Sequence, residues 1–195
     1  MKSRVKEWAA RLRTPRQVQT FLRGLPYNSE QEGVTLRSAE SALRSGTCHC
    51  LEASFIAAAI LEHHGFPPLV MSLESQDSLD HVLFVFQQRG KWGAISRSRE
   101  EGLHGRAPVF GDWQELAESY YDPYVDDTGR VTAFQVANLD DTRADWRQSS
   151  RNVWKAERYL IDIKHRPLRV SKARYKHLFE RYRDQGPLVT GPHWW

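Results

Sequence analysis

Cys48, His49 and Cys50 stand directly before a run of apolar residues that ends at Gly65. A thiol in the first turn of a helix meets unpaired backbone N–H groups and the positive end of the helix dipole, and both favour the thiolate. Its pKa then falls below the free value of about 8.5, which makes a cysteine nucleophilic at neutral pH. The same N–H groups stabilise an oxyanion on an acyl group attacked there. Cys50 is the candidate nucleophile, its own N–H one oxyanion donor, with Thr47 or a neighbour as the expected N-cap.

A nucleophile of this kind needs a base from elsewhere in the chain. His81 is the candidate, because it opens the otherwise apolar stretch LDHVLFVF, where an imidazole needs a reason. A satisfied core or edge histidine is the competing role. The segments DHVLFVF and KWGAISRS are joined by QQRG and read as a hairpin. If Gln87 pairs with Gly90, His81 faces Ser96; a second register sets it opposite Ser98, and a loop of odd length brings Arg97. A hydroxyl there can take the Nδ1 proton and orient the ring. Asn28, in the LPYN loop, is a candidate second oxyanion donor, and the loop from Arg97 to Phe110 is long enough to border a cleft.

The elements that must position these groups follow from periodicity. RVKEWAARL, PRQVQTFLRGL with Pro15 near its start, and residues 36–44 have helical spacing. Leu51 to Leu61 is apolar on every face apart from Glu52 and Ser54, so it is a central buried helix. Gly65 ends it and Pro67-Pro68 prevents its continuation. PLVMSLES, LDHVLFVF and KWGAISRS then read as strands, with His81, Leu83 and Val85 on one face of the middle one. REEGLHGRAPVF reads as a loop, GDWQELAESYYDPY as a helix stopping before Pro123, and RVTAFQVANL as a strand. NVWKAERYLIDI is a strand or helix, SKARYKHLFERYR a closing helix capped by Ser171, and residues 185–195 a loose end. Helices first and antiparallel strands after predict an α+β fold.

These residues together are similar to a family. GTCHCLEASFIAAAILEHHG, DHVLFVF and KWGAIS resemble the transglutaminase-like superfamily of papain-like cysteine enzymes, including bacterial members. Such proteins carry a glycine and a cysteine opening a core helix, an acid two places later, a strand begun by the catalytic histidine, and a Trp-containing strand ending in an aspartate. The resemblance covers roughly residues 40–98. It implies a papain-like fold, a central buried helix packed on a small antiparallel sheet with helices at both ends. It puts Cys50 at the cysteine, Glu52 at the acid, His81 at the histidine and Trp92 at the tryptophan, beside the substrate. The aspartate slot holds Ser96, which cannot stabilise an imidazolium as a carboxylate does. Asp77, Glu100 and Glu101 are within loop reach, whereas Asp80 points to the opposite strand face.

Acyl transfer on an amide or peptide through a Cys50 thioester is therefore the expected reaction, with a peptide or protein substrate and no cofactor. Three rivals accompany it. Cys48, His49, Cys50, His63 and His64 offer metal-ligand atoms, but about 15 helical residues at 1.5 Å each separate the groups by about 20 Å, so no metal is expected. The fold without catalysis, an inactive binding protein, is the second rival. Nucleic acid or an acidic partner is the third, through the basic part.

Bulk properties frame these readings. With 195 residues, 40% hydrophobic and 27% charged, the chain suits one globular domain over residues 1–195. Residues 143–184 hold thirteen Lys or Arg against five Asp or Glu, and the rest fifteen against nineteen, so the net +4 is local to the C-terminal part. Trp146, Trp154, Tyr159, Tyr175 and Tyr182 interleave with that charge, as base-stacking residues do. The start MKSRVKEWAARLRTPRQ lacks a signal-type apolar core, and two cysteines one residue apart make no disulfide framework, so a cytoplasmic protein with no membrane span is expected.

Overall fold

The computed structural model describes residues 3–31, 33–78 and 80–195. Leu79, expected at the head of a strand, and Glu32 of the LPYNSEQEG loop lie outside them. The order is α1 (Arg4–Arg11), α2 (Pro15–Gly24), α3 (Ala39–Ser45), α4 (Cys50–Leu61), β1 (Leu69–Ser75), β2 (His81–Gln88), β3 (Lys91–Ile95), β4 (Arg106–Phe110), α5 (Trp113–Glu118), α6 (Tyr121–Tyr124), β5 (Val131–Asn138), α7 (Trp154–Asp162), β6 (Arg166–Pro167) and α8 (Lys172–Gln185). The fold is α+β, as its sequence order predicts.

Local chemistry starts each of the first helices. Thr14 caps α2 by accepting from the Gln17 amide and donates its own amide to the Gln17 side chain, with Pro15 in the first turn, where its missing N–H has no intrahelical partner. Ser38 caps α3, and Gly46 ends it at φ 73°, a left-handed conformation that suits glycine. Every residue of α4 from Leu51 to Leu61 is buried. The helix lies against β2, with α1, α2 and α3 packed around it. Trp146 is also fully buried and sets its ring 6.1 Å from that of Phe55. It belongs to the core of the fold rather than to a base-stacking surface.

The sheet is antiparallel throughout, in the order β4-β3-β2-β1-β5-β6. Val82, Phe84 and Phe86 face α4, while Leu83 and Val85 join Met71, Leu73 and Tyr120 on the other side. Gln88 pairs with Lys91, and Arg89 and Gly90 both take positive φ, 51° and 74°. This is the two-residue hairpin turn whose twist matches its strands. The register, carried back along β2, sets His81 opposite Ser98, the second of the two expected pairings.

Three local expectations differ, and one segment left open between strand and helix is settled. REEGLHGRAPVF is not one loop: Glu101–Leu103 forms a 3-10 turn and Arg106–Phe110 is an edge strand, a position that tolerates Pro108. The helix expected to stop before Pro123 breaks at Ser119-Tyr120, and Pro123 sits inside the first turn of α6. NVWKAERYLIDI resolves to helix α7. Residues 185–195 are not a loose end, since the Ala107 amide donates to the His193 carbonyl at 2.7 Å and the Trp195 ring lies 5.6 Å from that of Phe86.

Candidate active site

Helix α4 begins at Cys50 with His49, not Thr47, as its extended N-cap residue. The Ser54 hydroxyl lies between two carbonyl oxygens, 3.0 Å from that of Cys50 and 3.1 Å from that of Val82. This ties the first turn of α4 to the start of β2 and explains the polar residue in an apolar helix. Glu52, fully buried, accepts from the Arg37 guanidinium at 2.7 Å on each oxygen, from the Arg37 amide at 2.8 Å, and from the His49 amide at 3.2 Å. Burial pushes its carboxyl up, but Arg37 and His49 outweigh it and hold Glu52 below the usual carboxylate range.

The two thiols differ completely. Cys48 has no exposed surface, and burial raises it to about 12. Cys50 is half-buried at the floor of a cleft of about 510 Å³. Burial raises Cys50 too, yet hydrogen bonds from His49 and His81, with their charge, bring it down to about 5. The structure thus brings Cys50 and His81 together, thirty-one positions apart in sequence.

His81 is almost fully buried. Its Nε2 lies 2.7 Å from the Ser96 hydroxyl and 3.0 Å from the Leu103 carbonyl oxygen. A carbonyl only accepts, so Nε2 carries a proton and the neutral ring leaves Nδ1 as a base toward the sulfur. The contact atom of Ser96 is therefore Nε2 and not Nδ1 as expected. Ser96 reaches the ring from the diagonal position on the same strand face, two residues from Ser98. Gln19 of α2 fixes Ser96 through both main-chain groups, donating to its carbonyl and accepting from its amide, each at 2.9 Å.

The backbone on either side of Leu103 is held in turn. Arg106 has no exposed surface and donates to the carbonyls of Gly102 (2.8 Å), His104 (2.8 Å), Gly105 (3.3 Å) and Ser119 (3.2 Å). Its guanidinium lies between the rings of Tyr120 and Trp194, at 3.9 and 4.3 Å. Burial lowers it to about 10.

Two expected site residues stand elsewhere. The Asn28 amide donates to the Thr35 hydroxyl at 2.8 Å and its oxygen accepts from the Glu30 amide at 3.2 Å, so this side chain shapes the loop beside Cys48. It is not among the cleft-lining residues. Trp92 packs on Trp113, ring centroids 5.2 Å apart, near the far end of the hairpin and outside the cleft. Asp80 accepts from the Ser75 amide at 2.9 Å, and Asp77 accepts from the Thr128 hydroxyl at 2.6 Å, so both brace the β1–β2 turn.

The cleft is lined by Glu30, Asp77, Asp80, Glu100, Asp126 and Glu157 against Arg99, with Tyr27, Leu51 and Leu103 as apolar wall. Tyr27 lies under Arg97 and Arg99, at 5.6 and 5.8 Å, and burial with the nearby Cys50 charge raises it to about 12.

His49 was named from sequence only as a metal-ligand candidate, and Leu103, Gln19 and Arg106 were not singled out as site residues. The buried Glu52 in an apolar helix was a legible request for a cation, but nothing marks Leu103, whose contribution is a main-chain oxygen. Among the described residues no three His, Cys, Asp or Glu side chains converge as they would around a metal ion, and no helix is long and apolar enough to cross a membrane. No protein-family model matches the chain, and no curated protein matches it significantly.

Proposed function

We propose that the protein is a cysteine-dependent acyl-transfer enzyme of transglutaminase-like, papain-like type, acting on an amide or peptide. One observation carries the reading: the Cys50 sulfur, at the start of a buried helix and the floor of an open cleft, is in hydrogen-bond reach of His81. His81 Nδ1 takes the thiol proton, and the thiolate attacks the acyl carbon. The C–S bond forms as the carbonyl electrons move to oxygen, where the Cys50 amide stabilises the oxyanion. Collapse breaks the C–N bond, the amine leaves with the His81 proton, and a thioester remains. Water or an amine then gives a proton to Nδ1, attacks the thioester and releases the thiolate.

The missing carboxylate is offset in part, since Leu103 and Ser96 hold the required tautomer without adding charge. The acidic lining supports a cationic peptide as substrate over an acidic one. A non-catalytic reading rests on Ser96 standing where an aspartate would, and it calls for an inert Cys50.

The test is acylation by an activated ester followed by peptide mass mapping. The account expects an acyl adduct on Cys50 that water or hydroxylamine removes, absent in Cys50→Ala, retained in Cys48→Ala and slowed in His81→Ala. Absence of the adduct from wild type, or its persistence in Cys50→Ala, overturns the proposal.

A further inference from the structure

His49 was not needed for the dyad, yet its ring touches the same sulfur. We propose that His49 is a second catalytic imidazole, a fixed cation that holds the Cys50 thiolate while His81 alone exchanges the proton. The inference rests on the reading of Cys50 as nucleophile and adds a residue to that site.

Geometry around Nε2 supports it. His49 Nε2 lies 3.1 Å from the Thr35 carbonyl oxygen, which can only accept, so Nε2 carries a proton. The contact with sulfur falls to Nδ1, which donates once the sulfur is a thiolate. Neutral, Nδ1 accepts from the Glu52 amide in the capping box; protonated, it faces the Cys50 sulfur as a donor. The buried Glu52 carboxylate stands 3.7 Å from the same ring and favours that second proton. Glu52 is itself anchored by Arg37, so it stays ionised beside His49.

The charged and titratable groups around His49 include Cys50 and Glu52 on α4, Arg37 beyond Glu52, Glu30, which accepts from the Thr35 amide, Tyr27 on the same cleft wall, and Glu157 on α7, whose own carboxyl senses the His49 charge; His81 meets the same sulfur from β2. The direction agrees: burial opposes charge on His49, but Cys50, Glu52 and Thr35 raise it to about 9. The His49 side chain also closes a capping box with Glu52, a role that Asn or Asp fills as well, so capping alone does not call for an imidazole. In the cycle, His81 gives its proton to the leaving amine and His49 keeps its own. The sulfur therefore keeps a cation beside it throughout the cycle.

The experiment is iodoacetamide labelling of Cys50 across pH, read by peptide mass, together with ester turnover, for wild type, His49→Asn and His81→Asn. Asparagine keeps an N-cap side chain, and His49→Gln serves where His49→Asn does not fold. The inference expects His49→Asn to raise the labelling midpoint by about 1 to 3 pH units. His81→Asn should lose turnover while Cys50 still labels readily at neutral pH. Nitrogen NMR of the wild-type imidazoles should find both His49 nitrogens protonated at neutral pH. An unchanged midpoint in His49→Asn, a free-thiol midpoint in His81→Asn alone, or a neutral His49 ring overturns it. A wild type that titrates as expected but forms no acyl adduct would defeat the acyl-transfer reading and leave the role of His49 in holding the thiolate standing.

Discussion

On the helix side of the Cys50 sulfur, His49 is backed by the buried Glu52 carboxylate, and Glu52 by Arg37. On the sheet side, His81 is backed by the Ser96 hydroxyl and the Leu103 carbonyl, and the turn that carries Leu103 is held by an arginine bonded to main-chain oxygens. A carboxylate behind an imidazole favours its charged form; a neutral acceptor fixes the tautomer and leaves the second proton free to move. The two walls thus suit one ring for keeping a proton and the other for passing it on.

The largest expected effect is on the helix wall. Arg37→Ala leaves the fully buried Glu52 without its cation and should destabilise the fold by about 3 to 5 kcal/mol in denaturant unfolding. A loss below about 1 kcal/mol would show that water reaches Glu52 and would weaken the contrast. Because Glu52 is held below the usual carboxylate range, its contribution is present above that range and is lost as pH falls through the depressed value.

Arg106→Met strikes the other wall. It frees the turn carrying the Leu103 carbonyl, and a misplacement of about 1 Å at a reacting group costs on the order of 10²-fold in turnover. Ester turnover should drop that far while Cys50 continues to label, since His49 is untouched; equal loss of both would mean the walls are not separable.

The thiolate leaves a signature in stability. Cys50 is depressed to about 5, so its contribution is full above the unfolded-state value and fades as pH falls through about 5. His49 is raised to about 9, so its contribution is full below its unfolded value of about 6.5 and fades as pH rises through about 9. The two slopes oppose between about 6.5 and about 9, leaving a rise in wild-type stability from about pH 5 to about pH 6.5. Thermal unfolding of Cys50→Ala should lack that rise.

The smallest effect belongs to Ser96→Ala. One neutral hydrogen bond is worth about 1 kcal/mol, so turnover should fall by less than about tenfold while Leu103 still holds Nε2. A loss near that of His81→Ala would make Ser96 the main orienter.

The parts of this site legible in sequence are those carried by side chains at regular spacing. Leu51 to Leu61 announces a buried helix, Gly65 its end, and the alternation after Asp80 a strand led by His81. Cys50 and Cys48 separate because the helix start turns one to the cleft and buries the other. Ser96 was found through hairpin register, although its bond comes from the diagonal neighbour. Leu103 was hidden because its main-chain oxygen does the work, and Arg106 because a buried cation among carbonyls has no sequence period. Trp92 and Asn28 were assigned by motif position or loop proximity, and packing sent them elsewhere: Trp92 to Trp113, and Asn28 to Thr35.

The most direct measurement is the pH titration of thiolate ultraviolet absorbance, taken as wild type minus Cys50→Ala. A thiolate held between two imidazoles should appear with a midpoint of about 5. A midpoint near the free-thiol value of about 8.5 would contradict the account.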